Sequence, residues 1–200
     1  MKTKPIIIGL TGGIASGKST ATQVLRRKRI PVICADEIAH DVTRINQPAY
    51  KAIIKTFGKE ILQKNKRLNR QRLAKIVFTD PKLKKKLEGI VHPAVRKEIH
   101  AKIKELKEKG KRLIILDIPL LFESGWHKKC DYTICIAAPQ NTQIERLIKH
   151  RKMTHKHALE RIRSQMPLKD KMKLADFVIW NKGTKQSFQN AVFSRIQKFQ

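Results

Sequence analysis

One octapeptide constrains this chain more than anything else in it: Gly12-Gly13-Ile14-Ala15-Ser16-Gly17-Lys18-Ser19. It fits the pattern G-x-x-x-x-G-K-[ST], and it does so between an apolar run, Pro5 to Leu10, and a helical pattern, Thr20 to Arg27. That context of strand, tight loop and helix gives the pattern its meaning. Small residues let the backbone curl so that N–H groups converge on phosphate oxygens, and the positive end of the following helix reinforces them. Lys18 is placed to reach the β- and γ-phosphates. The Ser19 hydroxyl is a hard oxygen ligand for Mg²⁺. A plain glycine turn before a helix is the alternative. The loop by itself means a bound nucleoside triphosphate and does not choose between kinase, GTPase and motor.

Further apolar runs typical of buried parallel strands lie at Pro31 to Cys34, Leu113 to Leu116, Tyr132 to Ile136 and Phe177 to Ile179. Helical patterns separate them, notably Asn141 to Arg151 and Lys185 to Phe199. Alternation of this kind predicts an α/β fold, a three-layer core with a parallel sheet. From about Ala49 to Gly110 the pattern is helical throughout, with Pro93 expected to interrupt a long apolar stripe. The expected organisation is a nucleotide-binding core, residues 1–48 and 111–200, carrying a helical insertion at 49–110. A second, smaller helical insertion is expected from His150 to Leu174.

Two carboxylates stand where chemistry is expected. In an open parallel sheet, ligands bind outside the carboxyl ends of the strands. Asp36 follows the second apolar run, where it can accept a proton from an attacking hydroxyl, or cap the helix beginning Glu37-Ile38-Ala39. Asp117 ends the strand Leu113 to Leu116, as a Mg²⁺-holding carboxylate does, or as a turn residue before Pro119 does. Glu123 is a weaker candidate. Arg146, Arg151, Arg161 and Arg163 can close over a triphosphate, although each singly reads as a solvated helix face. His92, before Pro93, reads as structural on composition alone.

Charge widens the field of partners. Lys and Arg number 45 against 16 Asp and Glu, a net charge of +29, so anionic ligands are expected. A nucleic-acid-binding protein with an incidental nucleotide site is a competing reading. Aromatic residues are only 6% and no helix-turn-helix or zinc pattern is present, so no specific nucleic acid is expected. Three irregularly spaced cysteines, Cys34, Cys130 and Cys135, fit no disulfide scaffold and suit a reducing compartment. No apolar run approaches membrane-spanning length, so the chain reads as soluble and cytoplasmic. It carries no signature of an oligomeric state.

Together these residues resemble the dephospho-CoA kinase family over nearly the whole chain. The resemblance rests on Gly9-Leu10-Thr11-Gly12-Gly13-Ile14 running into Ser16-Gly17-Lys18-Ser19-Thr20, on Ala35-Asp36 with Ile38-Ala39, and on His92-Pro93. It continues through Asp117-Ile118-Pro119-Leu120-Leu121-Phe122-Glu123, Gln143 with Arg146 and Arg151, Arg161 with Gln165, Ala175-Asp176-Phe177-Val178-Ile179, and Asn181-x-Gly183. It implies a P-loop core, a helical CoA domain and a lid at about 141–174. The activity implied is ATP-dependent phosphorylation of the ribose 3′-hydroxyl of dephospho-CoA, with Mg²⁺ serving the ATP.

The resemblance also implies roles. Asp36 matches the base, and Lys18 and Arg146 complete the catalytic set. Gly12 to Thr20, Arg146, Arg151 and Asn181 bind ATP, and Ser19 and Asp117 hold Mg²⁺. His92, Leu120, Phe122 and Glu123 are implied substrate contacts. Three positions depart from the family pattern. Cys34 stands where an Asp is usual, His40 where Arg is common, and Trp180 where an acidic or polar residue is usual. A kinase of the same class with another acceptor is the second reading, and would keep Lys18 and Asp36.

Overall fold

A computed structural model describes residues 4–199. The chain separates into two compact units, one formed by the chain up to Cys34 and from Glu105 onward, the other by Ala35–Lys104. The sequence had suggested residues 49 and 110 as the bounds of the insertion. The α2 helix, Ala35–Val42, therefore belongs with the helical unit.

The first unit holds five parallel strands: β1 (Ile6–Gly12), β2 (Val32–Cys34), β3 (Leu113–Asp117), β4 (Tyr132–Ala137) and β5 (Phe177–Trp180). Their order across the sheet is β2-β3-β1-β4-β5. All five apolar runs of the sequence are strands, and the α/β expectation holds. Asp117 pairs in register with Leu10 on one side and Cys34 on the other, which sets it at the carboxyl end of the sheet beside the end of β1. β1 lies between β3 and β4, so the chain leaves in opposite directions around its end, which is where open sheets form a ligand crevice.

Both faces of the sheet are covered, as continuous apolar strands require. On one face Ile8, Leu10, Ile115, Ile134 and Ile136 pack with Ala21 and Leu25 of α1 (Lys18–Arg27), and with Phe188, Val192 and Ile196 of the C-terminal helix Lys185–Gln197. Ile7, Ile114, Leu116 and Cys135, pointing the other way, are also buried. Each such side chain contributes about 1.5–3 kcal/mol by leaving water.

In the helical unit, Tyr50, Ile53 and Phe57 of α3 (Pro48–Phe57) pack with Leu73 of α4 (Arg70–Thr79) and with Leu83, Leu87, Ile90 and Val91 of α5 (Pro81–Glu108). Here the expectation for Pro93 fails, because α5 runs through it without a break. The packed residues before the proline, and Ile99, fully buried after it, hold both halves on apolar neighbours. Tertiary packing outweighs one missing hydrogen bond.

The remaining helices of the first unit are α6 (Gln140–Arg151), α7 (His155–Arg163), α8 (Leu168–Leu174) and α9 (Lys185–Gln197). The region from His150 to Leu174 is helical and has no strand among the described residues, as its basic, strandless sequence suggests. No helix among the described residues is long and apolar enough to cross a membrane.

Candidate active site

The loop after β1 is shaped by residues with no freedom to be anything else. Gly17 caps α1 with φ 103°, a left-handed conformation that side chains rarely adopt, and a Cβ there would collide with the Asn181 amide. A Cβ on Gly12 would strike the Ile136 carbonyl of β4. Ala15 is itself held at φ 56°, and Ser16 N–H donates to the Gly13 carbonyl at 3.1 Å.

Three side chains from distant parts of the chain fasten the loop. Asn181, buried just past β5, donates its Nδ2 to the Ser16 carbonyl at 2.9 Å. Arg146 of α6 donates to the Ala15 carbonyl at 3.1 Å. Gln143, one turn earlier, is buried, bonds the Ala138 carbonyl at 2.9 Å, and sets its Oε1 against Gly13. Behind them, Ile14 and Ala15 pack against a small core of Ile144, Leu147 and Ala158, which ties α6 and α7 to the loop. Loop carbonyls are thereby turned outward onto side-chain donors. The Ser16 hydroxyl is fully buried and has no hydrogen-bond partner, an unusual state for a polar atom and a donor left open inside the loop.

Lys18 begins α1 and directs its ammonium to Asp117, forming an ion pair. The side chains are 16% and 5% exposed, so this charge pair is poorly screened. Ser19 follows in the first turn of α1, which contains no acidic residue. The uncompensated helix N-terminus favours an anion there. The donor set suits Mg²⁺: a hydroxyl on Ser19 and a carboxylate on Asp117, both hard oxygens. Among the described residues no cluster of three His, Cys, Asp or Glu could hold a metal by itself. Mg²⁺ commonly keeps only one or two protein ligands beside phosphate oxygens, so a set of two is compatible with it.

Other residues singled out in the sequence fall as follows. Asp36 is the second residue of α2, in its first turn, two residues beyond the Cys34 that pairs with Asp117. Arg151 ends α6 and is exposed. Thr20 lies in α1. His92 is exposed on α5 and lines a cavity of about 220 Å³ within the helical unit.

The stretch Leu120 to Glu123 divides. Leu120 is exposed, whereas Phe122 is buried with its ring 5.3 Å from that of His127. Glu123 Oε1 takes the ammonium of Lys171 at 2.8 Å and the Met166 N–H at 3.3 Å. Phe122 thus packs inward, and Glu123 anchors the segment leading into α8. Trp180 is exposed, with the Lys182 ammonium 4.3 Å from its ring centre.

Lys171 is a buried residue beside the candidate site that sequence reasoning missed. It is fully buried, bonds Glu123, and donates to the Pro119 carbonyl at 2.9 Å, which also accepts from Thr11 Oγ1 at 2.9 Å. A lysine among many lysines carries no local signal of burial. Gln143 did carry one, as a polar residue on the apolar stripe of Ile144 and Leu147.

Two of the three cysteines keep their protons near neutral pH. Burial pushes the Cys130 thiol up to about 12, with Asp131 adding to the effect, and the Cys135 thiol up to about 11, with Lys171 opposing. The thiolate is the reactive form, so both are inert near neutral pH. Iodoacetamide at about pH 8 leaves both unmodified in the folded protein, as peptide masses will report. Labelling of either at the rate of a free thiol contradicts this.

A sequence profile described as dephospho-CoA kinase matches residues 6–187. The dephospho-CoA kinase of Carboxydothermus hydrogenoformans is 45% identical over 193 residues, 96% of this chain and 94% of its own. Among solved structures, the protein TT1252 of Thermus thermophilus superposes with a TM-score of 0.86 at 34% identity, covering 99% of this chain and 100% of that one. The dephospho-CoA kinase of Campylobacter jejuni gives 0.68 at 28% identity, covering 98% of each. The profile match over residues 6–187 and the 45% identity over nearly the whole chain show that the chain belongs to the dephospho-CoA kinase family.

Proposed function

We propose a division of labour among the residues of this chain for the family's reaction, the ATP-dependent phosphorylation of dephospho-CoA to CoA. The observation that carries it is the loop itself, whose carbonyls are held by Asn181 and Arg146 and whose Gly13 lies against Gln143. Preset donors need no reorganisation as charge develops, the largest source of catalysis in phosphoryl transfer.

Loop amides and Lys18 hold the β- and γ-phosphates of ATP. Asp36 orients the ribose 3′-hydroxyl of dephospho-CoA and accepts its proton. The hydroxyl oxygen forms a bond to the γ-phosphorus as the bond from that phosphorus to the β–γ bridging oxygen breaks, and ADP leaves with the electron pair. Arg146 and Arg151 face the growing charge on the transferring group. Asn181 contributes to ATP binding through the loop it fastens. Ser19 and Asp117 would hold Mg²⁺, which would neutralise phosphate charge when bound. His92 and Leu120 border the acceptor.

The test is formation of ADP from ATP with Mg²⁺, with dephospho-CoA, adenosine, AMP, uridine or shikimate as acceptor. Turnover with dephospho-CoA alone, yielding CoA, is expected. Turnover with a different acceptor keeps the phosphate loop and discards the acceptor. Silence with all of them refutes the reading.

A further inference from the structure

Because the strands are parallel, the loops that lead into them open on one end of the sheet, opposite the phosphate loop. That end is cationic. Arg27 and Arg29 precede β2, Lys111 and Arg112 precede β3, and Lys128 and Lys129 precede β4, all exposed. None of these cations has a carboxylate partner among the described residues. The acids of the same end are already engaged. Asp131 holds Lys4 at 3.1 Å and the Ile7 N–H at 2.8 Å, Asp176 accepts from Thr133, and Glu105 pairs with Lys109. Glu108 is engaged as well. Main-chain bonds set the loops side by side: Ile6 N–H donates to the Arg112 carbonyl and Asp131 N–H to the Ile7 carbonyl, each at 2.8 Å. Cations in the last turn of a helix serve its dipole, which accounts for Arg27 in α1. Arg29, Lys111 and Arg112 lie beyond their helices, and Lys128 and Lys129 belong to a single 3₁₀ turn, so that role does not account for them.

One side of this end carries rings. Tyr132 opens β4, Phe177 opens β5 and Phe199 follows α9, with ring centres 4.9, 5.7 and 6.2 Å apart. Tyr132 is 39% exposed. The Arg195 guanidinium lies 4.6 Å from the Phe177 ring centre, and the Lys28 ammonium 4.8 Å from that of Phe193, so the end of α1 reaches the helix that carries this cluster. Unpaired cations beside an exposed ring are what single-stranded nucleic acid binds: cations hold the phosphates and a base stacks on the ring. Five strands about 4.8 Å apart span about 19 Å, room for about four nucleotides, a small single-strand site. An anionic membrane would call for an apolar helical face, and this end offers loops and helix ends.

We propose that the amino end of the sheet binds single-stranded nucleic acid through its phosphates, without sequence preference, and that Tyr132 is its stacking platform. The surface lies apart from the phosphate loop and does not depend on which acceptor the kinase uses. Its cations and rings come from separate loops that only the parallel sheet gathers.

The experiment follows the anisotropy of a fluorescein-labelled oligothymidylate of about 20 nucleotides as the full chain is added, between about 50 and 200 mM salt, with and without saturating ADP and Mg²⁺. Lys111→Gln with Arg112→Gln is expected to raise Kd about tenfold at low salt and to flatten the slope of log Kd on log salt by about 1.4, the share of two phosphate contacts. The same charge removed from α5, by Lys85→Gln with Lys86→Gln, leaves Kd within about twofold. Tyr132→Leu raises Kd about fivefold or more with the slope unchanged. Melting temperatures check that all three variants fold. No binding by the unaltered protein, or an equal loss in the α5 variant, overturns the site. Displacement of the strand by ADP places it at the phosphate loop and overturns the site too. Undiminished binding by Tyr132→Leu overturns the single-strand assignment. Vesicles of phosphatidylserine and phosphatidylcholine that bind where the oligonucleotide does not reassign the surface to lipid.

Discussion

Asp36→Asn is expected to bind ATP as well as the original chain and to lose turnover by about 10²- to 10⁴-fold. The substitution keeps shape and removes the proton acceptor. Asp36 opens α2, where a carboxylate in the first turn also favours the helix, so a structural loss has to be separated from a chemical one. Asparagine caps as well as aspartate does, which makes it the right replacement. Initial rates at saturating dephospho-CoA, with ADP affinity and melting temperature measured alongside, separate the two. A rate within threefold of the original removes Asp36 from the mechanism. A lowered melting temperature with the rate loss reassigns it to the helix.

The other large effect is at Lys18. Lys18→Met is expected to lower kcat/KM by about 10²- to 10³-fold, because one preset cation facing the transferring phosphate is lost. It is also expected to destabilise the protein by about 3 kcal/mol, because the Asp117 carboxylate, 5% exposed, loses its cation. The two losses come apart in a double variant. Lys18→Met with Asp117→Asn removes both charges, and should recover most of the melting temperature and none of the activity. Recovery of activity in the double variant would mean that Lys18 serves only to neutralise Asp117, and the phosphate role would fall.

The loop was legible because its requirements are local. Gly12 and Gly17 are glycines for reasons of space and backbone angle, and Lys18 and Ser19 are set by the helix they begin. The strands were legible because a sheet covered on both faces demands unbroken apolar runs. The fastening of the loop was not. Asn181 and Arg146 act on carbonyls more than a hundred positions away, Gln143 lies against Gly13 at similar range, and no periodicity reports a partner at that distance. What Phe122 and Glu123 touch inside the protein was hidden for a related reason. Their motif marks a segment, while their contacts, His127 and Lys171, decide which members of it face inward. Pro93 misled because a local rule was applied to a helix held by its surroundings.

Asn181 carries one more implication, for the order of events at the ribosome. The phosphate loop is synthesised well before the amide that holds its Ser16 carbonyl, which arrives 165 residues later. β1, which leads into the loop, cannot find β3 or β4 until most of the chain has emerged. Nascent chains therefore expose a glycine-rich loop with no means of gripping nucleotide, and ATP cannot rescue a stalled or truncated product by binding it. Nucleotide competence therefore waits on β5 and the asparagine just past it.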